Sequence, residues 1–191
     1  VVMAPSDESE LVRMINTSVD INDKPSAFRY PRGSGIGVNL PPINEKIEIG
    51  KGRIIKEGKK IALLNFGARL KECLIAQENL KKKGINITIL DARFAKPLDE
   101  SLIWQLAIDH ETIITIEEGS IGGFGSHVSQ FLSDKNLLDN NLKYRSMILP
   151  DRFIDHDKPD LMYKYAGLDA DSIENKIMDT INSKVIIKKT N

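Results

Sequence analysis

The sequence predicts an α/β fold: a mainly parallel sheet with one antiparallel strand at its edge and helices on both faces. Three observations carry that expectation. Apolar runs of strand length alternate with amphipathic segments of helical length along most of the chain. The run Thr112 to Ile116 is of the buried type found inside parallel sheets, and Ile85 to Leu90 is comparably apolar. Glycine and lysine-glycine signals punctuate the passages between the two kinds of segment.

The elements follow in order. Ser6, Asp7 and Glu8 supply an N-cap and an acidic first turn, and Leu11, Val12, Ile15 and Val19 recur at helical spacing, so residues 7–20 read as an amphipathic helix. Ser26 to Tyr30 is a short strand closed by Pro31 and a glycine-rich run ending at Gly37. Residues 1–37 therefore resemble the last strand–helix–strand of an α/β unit that begins upstream, and residues 38–48, with Pro41-Pro42, read as a linker. Gly52 to Lys56 and Ile61 to Phe66, joined around Gly58, suggest an antiparallel hairpin that supplies the edge strand. A helix carrying Leu70, Cys73, Leu74 and Leu80 ends in Lys81-Lys82-Lys83-Gly84, with cations in its last turn. Asp99 caps a helix with Leu102, Ile103, Leu106 and Ala107, and His110 caps its far end. Gly122 to Gly125 lead into a helix through Val128, Phe131 and Leu132. Tyr144 to Leu149 is the last strand and Ile173 to Ile181 a closing helix.

Bulk composition excludes several classes. Lys plus Arg and Asp plus Glu both number 27, so the chain has no general footprint for nucleic acid or a charged membrane surface. No apolar run approaches the ~20 residues that span a bilayer. The single Cys73 excludes an intrachain disulfide and a cysteine-based zinc site, and its helical, apolar setting predicts a buried thiol. Val1 to Ser6 read as a strand end entering a helix cap, without the basic and apolar regions of a signal peptide.

Two segments hold residues suited to ligand chemistry. In Arg29-Tyr30-Pro31-Arg32-Gly33, two arginines stand near the carboxyl end of a strand before a glycine-rich turn, where open α/β sheets bind ligands. Arginine offers a planar fork of donors matched to phosphate, and glycine lets the backbone approach it. The spacing is equally consistent with a surface or interface arginine pair bonded to carboxylates. The second segment is Glu117-Glu118-Gly119 with Gly122 to Val128. Gly123-x-Gly125-x-x-Val128 imitates part of a dinucleotide fingerprint, but valine replaces the third small residue. A tight helix–sheet packing turn is the better reading, with the carboxylates bonded to backbone donors or a subunit contact. Asp155-His156-Asp157 offers metal-type ligands only at consecutive positions, which rarely converge on one ion.

Several segments, in order along nearly the whole chain, resemble the carboxy-terminal portion of the 1-deoxy-D-xylulose-5-phosphate synthase family, thiamine-diphosphate enzymes of the transketolase group. They are Met3 to Glu8, Pro25 to Gly33, Ile49 to Gly52, Leu64 to Gly67, Asp91 to Asp99, Glu117 to Val128, Leu149 to Asp151 and Ala166 to Ala170. The most diagnostic pieces are Arg29-Tyr30-Pro31-Arg32-Gly33 and Arg93-Phe94-Ala95-Lys96-Pro97-Leu98-Asp99. The resemblance implies that residues 1–37 end a pyrimidine-binding domain and that 49–191 form a transketolase-like carboxy-terminal domain. It implies condensation of pyruvate with D-glyceraldehyde 3-phosphate with loss of carbon dioxide, for isoprenoid (methylerythritol phosphate) and thiamine biosynthesis. Thiamine diphosphate and Mg2+ are the implied cofactors, a homodimer the implied assembly, and a bacterial cytoplasm, alternatively a plastid, the implied setting.

By the same resemblance Arg32, and less directly Arg29, bind the phosphate of D-glyceraldehyde 3-phosphate, while Arg93, Lys96 and Asp99 are structural or interfacial. The family's Gly-Asp-Gly motif is absent from this chain, and its pyrimidine-activating glutamate belongs upstream of Val1. No catalytic, cofactor-binding or metal-binding residue is therefore expected here, and this stretch is not expected to catalyse alone. The alternatives are a β-type subunit of a 2-oxoacid dehydrogenase, another transketolase relative, or a non-catalytic dimerisation or binding module.

Overall fold

The computed structural model describes residues 1–183, so residues 184–191 of the expected carboxy-terminal domain lie outside the described residues. The chain opens with strand β1 (Val2–Met3), helix α1 (Glu8–Val19) and strand β2 (Ala27–Phe28), and β2 lies parallel to β1. There follow β3 (Arg53–Lys56), β4 (Lys60–Phe66), α2 (Leu70–Lys82), β5 (Thr88–Asp91), β6 (Phe94–Lys96), α3 (Glu100–Asp109) and β7 (His110–Glu117). Then come α4 (Phe124–Asp134), β8 (Lys143–Met147), α5 (Pro159–Tyr165) and α6 (Ala170–Asn182).

The main sheet has the order β3-β5-β4-β7-β8, all parallel except the edge strand β3. Its alternation sorts side chains between two cores. Ala62, Leu64 and Phe66 of β4 face one way, toward Ile103 and Leu106 of α3 and Val128 and Phe131 of α4. Ile61 and Leu63 face the other way, toward Cys73 and Leu80 of α2 and Ile173 and Ile177 of α6. With both faces covered, β7 is buried from Thr112 to Glu117, which is why its sequence is nearly uninterrupted β-branched residues. Each fully buried isoleucine or leucine contributes about 1.5–3 kcal/mol. The fold class predicted from the alternating runs is the one observed.

The hairpin expected around Gly58 does not form. β3 is antiparallel, but its neighbour is β5, which separates it from β4. Residues 57–59 instead cross the entry to β5, where Gly58 N donates to Thr88 Oγ1 at 3.1 Å and Lys59 N to Asn86 O at 2.9 Å. A Cβ at Gly58 would lie 2.5 Å from Ile87 O, so this glycine serves a close backbone crossing rather than a hairpin turn. The short β6 and the α5 helix were also not anticipated. β6 is three residues long, and its partner β1 is some ninety positions away in sequence, forming a second sheet of order β2-β1-β6.

That second sheet and a buried ionic network tie α1 to the main sheet. Of the three residues read as the helix start, Asp7 is the cap of α1, accepting from Glu10 N at 2.8 Å, so the helix begins one residue later than expected, and Ser6 turns to donate to Asp91 Oδ2 at 2.8 Å. Glu10 is fully buried and accepts two bonds from Arg93, at 2.7 and 3.0 Å. Arg13 reaches it at 3.0 Å and Arg53 at 3.1 Å. Arg53 also pairs with Asp91 at 3.1 Å. Burial still wins at Asp91, pushing its carboxyl up to about 6 against the opposing pull of Arg53, because Asp91 Oδ1 is buried without a hydrogen bond. Arg93 thus serves structure, as expected. So does Asp99, which accepts from Leu102 N and Gly52 N, while Lys96 is exposed on β6.

Candidate functional site

A cleft of about 670 Å³ opens where β1, β2 and β4 end. The chain leaving β1 contributes Ser6 and Glu8, that leaving β2 contributes Tyr30 to Ile36, and that leaving β4 contributes Ala68, Arg69 and Lys71. Tyr163 of α5 closes one side. The carboxyl ends of strands are where open α/β sheets take ligands, because the connecting loops and helix N-termini converge there. A larger cleft, of about 1030 Å³, lies at the opposite end of β4 and β7, near Lys60 and Glu111. Ile181, two residues before the end of the described chain, lines it, and it lacks that convergence of helix N-termini.

The structure separates the two arginines singled out from the sequence. Arg32 is exposed and lines the cleft. Arg29 lies outside its lining: it donates to the backbone carbonyl of Glu118 and lies 5.7 Å from the centroid of the Phe66 ring. Phe66 in turn stacks on Phe124 at 5.0 Å. Both arginines lie beyond the end of β2 at Phe28, and Pro31, with its fixed φ, redirects the chain between them.

Arg69 is a cleft residue that the sequence reading passed over. It stands at the start of α2, just after Gly67, whose φ of 103° belongs to the left-handed region. A Cβ at Gly67 would meet Ala4 Cβ and Arg29 Nη2 only at the ordinary contact distance of 3.4 Å, so it is the positive φ, and not a lack of space, that calls for glycine here. The Arg69 guanidinium lies 3.6 Å from the Tyr163 ring centroid, and its Nε is 3.0 Å from Glu118 Oε1. That Nε–H does not point at the carboxylate, so the contact is an ion pair without a hydrogen bond and both atoms remain buried and unbonded. Burial, with the neighbouring Glu118 carboxylate, pushes the Tyr163 hydroxyl up to about 12. The available signal was Gly67-Ala68-Arg69 between a buried strand and a helix, which places a cation at a strand's carboxyl end.

The glycine-rich segment after β7 is a packing turn, as its incomplete fingerprint suggests. Glu117 Oε1 accepts from Gly125 N at 2.8 Å, and a Cβ at Gly123 would stand 2.8 Å from the same oxygen. The carboxylate fills the space at the start of α4 that a dinucleotide phosphate would need, and its charge would repel one. His110 caps α3 through Leu106 O at 3.0 Å and meets Thr88 Oγ1 at 2.8 Å. His127 and Asp155-His156-Asp157 are exposed. Among the described residues no cluster of three His, Cys, Asp or Glu side chains is placed to hold a metal ion. With the α4 entry filled by Glu117 and no such cluster, these residues do not assemble a thiamine diphosphate and Mg2+ site. No helix among them is long and apolar enough to cross a membrane.

A two-cored, mostly parallel sheet with an antiparallel edge and a cleft at its carboxyl ends defines an α/β module of carboxy-terminal transketolase type. The family model described as "Transketolase, C-terminal domain" matches residues 50–173, and the chain belongs to that family. Among solved structures it is 25% identical to a split-gene transketolase described as an "inactive beta4 tetramer", with a TM-score of 0.81 over 94% of this chain and 57% of that one. A transketolase from Campylobacter jejuni matches at 18% identity and TM-score 0.68, over 93% of this chain and 26% of that one. A transketolase mutant from Pichia stipitis matches at 16% and 0.69, over 94% and 25%. The chain thus spans little more than half of the first and about a quarter of the other two, and the latter likenesses speak for the fold alone.

Proposed function

We propose that this chain is the carboxy-terminal part of a 1-deoxy-D-xylulose-5-phosphate synthase and that its own contribution is to hold the phosphate of D-glyceraldehyde 3-phosphate. The observation that carries this reading is the placement of Arg32 in the cleft that Arg69 and Lys71 also line, at the carboxyl ends of three strands. A phosphate there meets Arg32's fork of donors, which orients the acceptor by charge pairing and transfers no proton. Thiamine diphosphate and Mg2+ supply the carbanion chemistry on pyruvate, and residues outside this chain hold them. Arg29, fastened to Glu118 and Phe66, supports the base of the same loop. The sequence likeness at Arg29 to Gly33 and Arg93 to Asp99 supports this member of the group over its relatives. On this reading the complete enzyme is a homodimer of the bacterial cytoplasm or a plastid, serving isoprenoid and thiamine biosynthesis.

The test is steady-state kinetics of the complete enzyme that carries this chain. Arg32→Ala raises KM for D-glyceraldehyde 3-phosphate about 10- to 100-fold, as loss of a charged hydrogen-bond partner does, and leaves the KM for pyruvate in place. An unchanged acceptor KM would refute the role of Arg32. A second reading, another transketolase relative, is favoured by the 25% identity to a split-gene transketolase. Turnover of sugar phosphates without consumption of pyruvate would select it. Oxidative turnover of a 2-oxoacid would select the dehydrogenase β-type subunit, and a folded protein that turns over none of these would select the binding module.

A further inference from the structure

The loop that carries Arg32 hangs on one carboxylate. Residues 30–38 form no helix or strand, and among the described residues none of their amides bonds to another backbone group. Three successive amides turn instead to Glu8 in the first turn of α1. Gly37 N and Val38 N donate to Glu8 Oε1 at 2.6 and 3.0 Å, and Ile36 N donates to Oε2 at 3.1 Å. Such a run of inward-facing amides is a backbone nest for an anion, and Gly37 makes the bend with a φ of 88°. The Glu8 carboxyl is held below its usual range by its own amide together with those of Gly37, Ile36 and Val38. Gly35 completes the fit: a Cβ there would come within 2.7 Å of the Glu8 carboxylate. Sequence alone assigned Glu8 only to the charge of the helix start.

We propose that Glu8 is the positioning residue for Arg32, clasping the 36–38 amides so that the loop holds the arginine in the cleft for a phosphorylated acceptor. The inference rests on the proposed phosphate role of Arg32 and adds to it the residue that acts through the loop. Both Glu8 oxygens are taken up by the 36–38 amides, so its effect on the acceptor runs through the loop.

The experiment compares Glu8→Ala, Glu8→Gln, Gly35→Ala, Arg32→Ala and the Glu8→Ala/Arg32→Ala pair in the complete enzyme, with D-glyceraldehyde 3-phosphate and with unphosphorylated D-glyceraldehyde as acceptors. Glu8→Ala is expected to raise KM for the phosphorylated acceptor on the order of ten-fold, the scale of misplacing a charged binding group. Its kcat and its use of D-glyceraldehyde stay near wild type. Glu8→Gln, with one acceptor oxygen for three amides, falls between. Gly35→Ala reproduces Glu8→Ala without altering Glu8, because its methyl group displaces only the tip of a flexible side chain, and it serves even where Glu8→Ala does not fold. On the Arg32→Ala background, Glu8→Ala adds nothing further.

Loss in Arg32→Ala with wild-type acceptor KM in both Glu8→Ala and Gly35→Ala overturns the clasp and leaves Arg32's role standing. Equal losses with both acceptors also overturn it, since they mark a general structural defect. No change in Arg32→Ala removes the underlying reading itself.

Discussion

Removing the charge of Glu10 is expected to destabilise the protein more than a surface substitution would. Glu10 is fully buried and its two oxygens face three guanidiniums, of Arg13, Arg53 and Arg93. Arg13 keeps Glu45 at 2.8 Å and Arg53 keeps Asp91 at 3.1 Å, but the side-chain bonds of Arg93 all go to Glu10. Glu10→Gln therefore preserves volume and strands Arg93. Breaking a buried pair from one side costs about 3–5 kcal/mol. The arginine side chains keep 15–32% of their exposure, so water compensates in part and the low end, about 3 kcal/mol, is expected. At about 2–4 °C per kcal/mol for a chain of this length, the melting temperature falls by about 6–12 °C. Urea and thermal unfolding followed by circular dichroism measure it, and the Glu10→Met/Arg93→Met pair, which removes both charges, should recover most of the loss. A Glu10→Gln loss below about 1 kcal/mol would refute the reasoning and class the cluster with surface ion pairs.

Two further outcomes concern the same junction and the sheet edge. Asp91 binds its proton up to about 6 in the folded state against 3.8 as its ordinary value, so folding takes up a proton and stability falls as pH rises between those values. Thermal melts from pH 4 to 7 should show Asp91→Asn gaining on wild type by about 3 kcal/mol over that interval, and a difference that stays level or shrinks with rising pH would mean Arg53 dominates. Gly58→Ala should cost about 3 kcal/mol by driving a methyl group into the Ile87 backbone, whereas a tolerant Gly58→Ala in a urea titration would contradict the crossing at the β5 entry.

Much of the fold was legible because local rules govern it. Asp99 was read as a helix cap and accepts the expected amide, and the cap of α1 falls within the Ser6 to Glu8 segment read as the helix start, at Asp7. The runs at 61–66 and 112–116 became central strands because largely apolar residues at consecutive positions, β-branched throughout in 112–116, need cover on both faces. Cys73, set at helical spacing among apolar residues, is buried as expected. Neighbours in a sheet are another matter. Nothing local distinguishes a β3–β4 hairpin from two strands with β5 between them, since both begin with an antiparallel edge and a tight connection at Gly58.

The site divides along the same line. The sequence by itself determined the class of fold, the likeness to the transketolase group, and that Arg29 and Arg32 stand at a strand's carboxyl end. Residue type and spacing are enough for that. Only the tertiary structure decided that Arg29 is fastened to Glu118 while Arg32 faces the cleft, that Arg69 joins it, and that Glu8 leaves the helix start to hold the 36–38 amides. It also placed Arg93 on Glu10, 83 positions away. These pairings depend on which loops close on one another, and a side chain's partner across such a distance is set by the packing of the sheets and not by its neighbours in the chain.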